Sequence, residues 1–155
     1  MEHDRKRTPN ETHLGYIQAT ITRMGQNAFQ AKTWCITIII ALLIFLLEKA
    51  SDHSKFTTIY IAIGVVALFC TLDTYYLYLE RGYRKLYKIA AGLVPELPES
   101  EKLSDYDMQI PNIGRGIKEY GKAFISVSTG LFYGLIIVLL LVLRLCTNVA
   151  EIPST

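Results

Sequence analysis

The sequence predicts an all-α integral membrane protein with three transmembrane helices extended into a short cytoplasmic helical bundle. Three observations carry this. Charged residues fall in blocks, and long apolar runs with few or no charges separate the blocks. Three of those runs approach or exceed the roughly 20 apolar residues that a helix needs to cross a hydrocarbon core of about 30 Å. Lys and Arg concentrate before the first run and between the second and third. The averages alone decide little: 51% hydrophobic, 19% charged and 155 residues would also suit one greasy soluble domain. It is the distribution that excludes a water-soluble globule or a disordered chain. A net charge of +2 excludes a generally basic nucleic-acid binder, so any basic signal is local.

Residues 1–11 are expected to form a flexible, cytoplasmic N-terminus. The first helix is expected over 12–48. Asn10 or Thr12 can cap it after Pro9. Leu14, Ile17, Ile21, Met24, Ala28 and Ala31 then recur three and four apart, an apolar seam that runs without a proline into the span beginning at Thr33. This run starts too far from the N-terminus for a signal peptide, and no small-residue cleavage site follows it.

The second helix is expected over 58–92, its span running from Thr58 to Leu79. It continues on the face of Leu79, Tyr83, Leu86 and Ala90, and Gly92 and Pro95 end it. Glu80 precedes Arg84 by one turn, the favourable order for an ion pair. Residues 93–112 hold Pro95, Pro98 and Pro111 with five acids and one lysine, an exposed acidic connection. The third helix is expected over 113–146, capped by Asn112 and entering its span near Ala123. Residues 147–155 are expected to form an outer tail. Helices of this length reach roughly 50 Å at 1.5 Å per residue, so some 15–20 Å of each projects beyond the bilayer. The competing arrangement lays these extensions flat on the membrane surface.

Orientation follows from the cations. Arg5, Lys6, Arg7, Arg23 and Lys32 precede the first span, and eight cations from Arg81 to Lys122 lie between the second and third. Lys49 and Lys55 alone separate the first and second, and Arg144 alone ends the third. The rule that cytoplasmic loops carry the positive charge puts the N-terminus inside, residues 49–57 outside and the C-terminus outside.

No enzyme signature is present, so catalytic residues, metal ligands and cofactors are not expected. The three histidines are isolated, no cysteine pair has metal-ligand spacing, and Gly114-Arg115-Gly116 is too short to be a phosphate loop. Other residues carry the interest. A carboxylate inside a span is costly and usually faces protein or water, which singles out Asp73. Counted from the outer ends, Lys32 on the first helix reaches a similar depth, and the two are expected to pair. Such a pair either fixes register or breaks as a gate.

Arg81, Arg84, Lys85 and Lys88 alternate with Tyr83 and Tyr87. They suit either anionic lipid headgroups or a ligand whose phosphates the cations hold and whose bases the tyrosines stack. Arg115 and Lys118 can join them from the third helix. Ser126, Thr129, Gly130, Tyr133 and Gly134 make the inner half of the third span small and polar, suited to a water path or to close packing through Gly130-x-x-x-Gly134.

Two stretches, IQATITRMGQNAFQAKTW from Ile17 and DTYYLYLERGYRKLY from Asp73, resemble the paired signatures of small bacterial three-span membrane proteins of defence neighbourhoods. The matching positions are Arg23, Met24, Asn27, Phe29, Lys32 and Trp34, then Asp73, Tyr75, Tyr76, Glu80, Arg81, Arg84, Leu86 and Tyr87. Within that group the chain is similar to the membrane channel effectors of Hailong anti-phage systems. The resemblance covers roughly the first 90 residues, and nothing after Leu93 carries a signature. It implies a homotetrameric channel in the bacterial inner membrane. It further implies that an oligonucleotide made by a partner nucleotidyltransferase, an oligodeoxyadenylate, keeps the channel shut until infection. The residues themselves also fit a non-conducting accessory or scaffold protein of a larger complex. A holin-like permeabiliser fits less well, because so much of the chain lies outside the spans.

Overall fold

The computed structural model describes residues 10–49, 52–94, 107–110 and 116–150. These residues form four helices and, among them, no strand: α1 (Glu11–Lys49), α2 (Asp52–Ala90), α3 (Ile117–Phe124) and α4 (Val127–Ala150). Three helices are long and apolar enough to cross a membrane, within Glu11–Leu46, Thr57–Ala90 and Val127–Cys146.

α1 starts where its cap dictates. The Asn10 side-chain oxygen accepts from the backbone N–H groups of Thr12 at 3.1 Å and His13 at 3.3 Å, satisfying two donors that the helix cannot. α2 begins at Asp52, six residues before the start expected from the apolar run. Nothing between Asp52 and Thr58 breaks a helix, so the backbone winds as soon as the turn permits. It ends at a Schellman turn: Gly92 adopts φ 68°, its N–H reaches the Ile89 carbonyl, and the Leu93 N–H reaches Lys88.

The two 39-residue helices, each about 58 Å long at 1.5 Å per residue, pack as an antiparallel hairpin. Ile17 and Ile21 meet Leu86 at the polar end, with Tyr83, Tyr87, Ala90 and Met108 around them. Towards the other end Ala31, Cys35 and Ile39 of α1 meet Ala62, Val66 and Phe69 of α2, and α4 adds Tyr133 and Leu140. α2 stands in the middle, touching α1, α3 and α4. Between these two apolar clusters lies the polar layer described below.

The acidic connection is not exposed throughout. Ile110 is buried, and His13 Nε2 lies 3.1 Å from the Asp107 carbonyl, which ties the segment to the start of α1. Gly82 admits it: a Cβ there would come within 2.8 Å of Ile110 Cγ2. The part of the connection from Pro95 to Tyr106 lies outside the described residues.

The third helix differs most from expectation. Residues 117–150 form two helices, not one, and Asn112, the expected cap, lies outside the described residues. The break falls at Ile125 and Ser126, where Ser126 N–H bonds the Ala123 carbonyl three residues back, tightening the last turn. Ser126 then opens α4, its carbonyl accepting from Gly130 N–H at 2.7 Å.

Arg81 sits in the break. One guanidinium nitrogen donates to the Lys122 carbonyl at 3.0 Å and another to Ser126 Oγ at 3.1 Å. A helix end leaves its last carbonyls unsatisfied. Arg81 satisfies one of them from a neighbouring helix.

Candidate functional site

Asp73 is the centre of the polar layer. Its side chain is fully buried, yet it is held by charge and hydrogen bonds from both neighbouring helices. Lys32 Nζ of α1 donates to both carboxylate oxygens, at 2.7 and 2.6 Å. Thr129 Oγ1 of α4 donates to Oδ2 at 3.3 Å. A single carboxylate thus joins all three helices of span length. One turn nearer the start of α2, the buried Tyr133 hydroxyl donates to the Phe69 carbonyl at 3.2 Å. A carboxylate at this depth is tolerable only with such partners, because the apolar surroundings otherwise penalise its charge.

Thr129 and Tyr133 are therefore packing residues of the three-helix core within the chain. Gly130 and Gly134 lie on the adjoining face of α4, and a Cβ on either would meet nothing within 4 Å. Ser126 is committed to Arg81.

The basic run divides into two parts. Arg81 is spent on the α3–α4 break, and Lys85 Nζ reaches Glu119 of α3 at 3.3 Å. Arg84 pairs with Glu80 at 2.7 Å but keeps 63% of its side chain exposed. Lys88 is exposed one turn further on. Together, Gln18, Ile21, Arg84, Tyr87 and Lys88 line an open groove of about 320 Å³ between the polar ends of α1 and α2.

Two cations, an amide and the flank of an aromatic ring suit an anion with a planar part. A guanidinium can engage phosphate oxygens in pairs, whereas an ammonium acts as a point charge. A surface ion pair such as Arg84–Glu80 holds weakly, so a phosphate can compete for the guanidinium. Tyr83 lies beside this groove, packed on the Ile17–Ile21–Leu86 cluster. Lys118 is exposed on α3, away from the groove lining, and Arg115 lies outside the described residues.

Gln18 and Ile21 were not among the sequence candidates for this site. Ile21 was legible only as a seam residue. Gln18 neighbours that seam, and only the meeting of α1 with α2 gives it a role. A second hollow, about 680 Å³, runs along α1 over Thr22, Gly25, Gln26, Phe29 and Gln30.

Glu119, also unflagged by sequence, links the parts. Hydrogen bonds from Lys122 and then from Lys85 hold its carboxyl below the usual carboxylate range. Among the described residues, no group of three or more His, Cys, Asp or Glu side chains could hold a metal ion. No family model, curated protein sequence or solved structure matches the chain.

Proposed function

We infer that the protein is an oligomeric, ion-conducting effector of the bacterial inner membrane, acting in anti-phage defence and gated from the cytoplasmic side by a nucleotide-type anion. The observation that carries this reading is the arrangement along α1 and α2. The same two helices hold the Arg84–Lys88–Tyr87 groove at one end and the Lys32–Asp73 pair among the spans. Whatever an anion does to the spacing of the helices in the groove is transmitted through two rigid rods to the buried pair. A ligand shifts such an equilibrium by as much as its affinity differs between the two states.

Assembly fits the same reading. Gly130 and Gly134 are not closed over within the subunit, so their face is available to a second copy, where glycines allow close backbone approach. Around a rotation axis each groove is repeated, and the positive potential grows with every copy. The resemblance to defence effectors adds the expected subunit number, four, and an oligonucleotide from a partner nucleotidyltransferase as the ligand. The polar ends of the helices then form the cytoplasmic bundle.

One observation favours a non-conducting accessory protein instead: Thr129 and Tyr133, the polar residues expected to line a path, are buried against α2. Planar-bilayer recording of the purified protein decides between them. The channel reading expects unitary conductance that an added oligodeoxyadenylate changes. Replacing Arg84 and Lys88 together by Gln should abolish that response and leave conductance itself intact. Silent bilayers, with the protein shown to be inserted, overturn it in favour of the accessory role.

A further inference from the structure

The short helix α3 has a direction that its contacts reveal. Eight residues span about 12 Å, so an α3 parallel to α2 would meet positions about eight residues apart. Instead the Gly116 N–H lies 3.4 Å from the Tyr78 hydroxyl, while the Lys122 carbonyl accepts from Arg81. The two ends of α3 touch α2 within three residues. Tyr120 at its centre stacks edge-on against Tyr78, with ring centroids 5.8 Å apart, and its hydroxyl reaches the Thr71 carbonyl. Glu119 reaches in the opposite direction along α2, to Lys85. α3 therefore lies across α2, centred near Tyr78.

That level is about five residues, or roughly 8 Å, beyond Asp73, where the spans give way to their polar extensions. A helix lying across a span at this depth lies in the plane of the membrane surface. Its two faces match that position. Glu119, Tyr120 and Ala123 face α2 and α4. The opposite face is Ile117, Gly121, Phe124 and Ile125, with Ile117 92% and Ile125 81% exposed, and the exposed Lys118 and Lys122 border one edge of this strip. Val127 and Leu131 carry the same apolar exposure directly onto the outer surface of α4.

We propose that α3 is an interfacial helix: its Ile117–Phe124–Ile125 face enters the headgroup boundary of the inner leaflet, and Lys118 and Lys122 bind anionic lipid headgroups. An apolar strip bordered by lysines is the pattern of helices that lie 5–10 Å into that boundary. The level at which α3 crosses α2, where the apolar segments end, and the charge match between its lysines and anionic headgroups name lipid as the occupant. Lys122 keeps its Glu119 contact at 2.9 Å with 68% of the side chain exposed, and a headgroup can share it. Arg81 fixes the bend that turns the chain from the surface plane into the span. The inference rests on the three spans crossing a bilayer and is independent of conduction, so silent bilayers leave it standing.

Tryptophan depth probes test it. In full-length protein carrying Trp34→Phe, a new tryptophan is placed singly by Ile117→Trp, Ile125→Trp or, as a control far from the boundary, Tyr16→Trp. Vesicles contain brominated phosphatidylglycerol or brominated phosphatidylcholine. Both α3 probes should be quenched to a similar extent and more than Tyr16→Trp, and more by the anionic lipid. Lys118→Gln with Lys122→Gln should reduce the preference for phosphatidylglycerol by about fivefold for each lysine removed. Quenching at position 117 no greater than at position 16 overturns the proposal, as does an α3 signal with no anionic preference. Shielding from both lipid and aqueous iodide also overturns it, in favour of a face covered by a second copy.

Discussion

Lys32, Asp73 and Thr129 show what a charged group buried among apolar helices of span length requires. The 2.6 Å contact between ammonium and carboxylate neutralises both charges, and Thr129 occupies a further lone pair. Removing either charge leaves the other without its counter-ion, at a cost on the order of 1–3 kcal/mol. Asp73→Asn and Lys32→Met should each lower resistance to unfolding in detergent titration by that amount. The charge exchange Lys32→Asp with Asp73→Lys should recover much of the loss. An exchange no better than either single change shows that the two residues are not coupled. Depth along each helix is readable from sequence because it is a one-dimensional count. The hydroxyl of Thr129 as a third partner is not readable, because it depends on how α4 is rotated about its own axis.

α1 and α2 follow from local rules: a cap at Asn10, an unbroken apolar seam and a Schellman stop at Gly92. α3 does not. Its residues continue a helical pattern into α4, and no proline marks the break, although β-branched Ile125, Val127 and Thr129 alternate there with Ser126 and Ser128, which lowers helix propensity. The competing partner wins there: Arg81 takes the Lys122 carbonyl, and the Lys85–Glu119–Lys122 set holds α3 against α2.

This set predicts a pH effect. The Glu119 carboxyl is held below its ordinary value of 4.5, so its contribution to docking is complete above that value and disappears as pH falls through the lowered one. Carbon-detected NMR of Glu119 in nanodiscs should give a midpoint under 4.5. Lys122→Gln or Lys85→Gln should raise it, Lys122→Gln more. An unchanged midpoint in both variants would show that neither lysine holds the carboxylate. The basic run loses half its sequence-level meaning for the same reason. Four cations share one helix, but α3 and the break engage Arg81 and Lys85, leaving Arg84 and Lys88 to the groove.

Across the whole molecule, orientation is set by charge outside the apolar segments. With the basic segments on the cytoplasmic side, a cysteine introduced by Asp52→Cys, in a background with Cys35, Cys70 and Cys146 replaced, should react with an impermeant thiol reagent from the outer side alone. One introduced by Lys118→Cys should react from the inner side. The reverse pattern overturns the topology. Three helices of span length, and the all-helical character, were legible in the sequence because both depend on composition and period along one segment. Lys32 and Asp73 were visible as charges at similar depth on neighbouring helices. The burial of Thr129 and Tyr133, the groove that draws in Gln18 and Ile21, and the crosswise α3 were decided by tertiary structure alone. Periodicity states which residues share a face of one helix, but not which neighbour that face will meet. That choice is made when helices rotate and slide against each other to bury Asp73 with its partners and to satisfy the carbonyls at the α3 end.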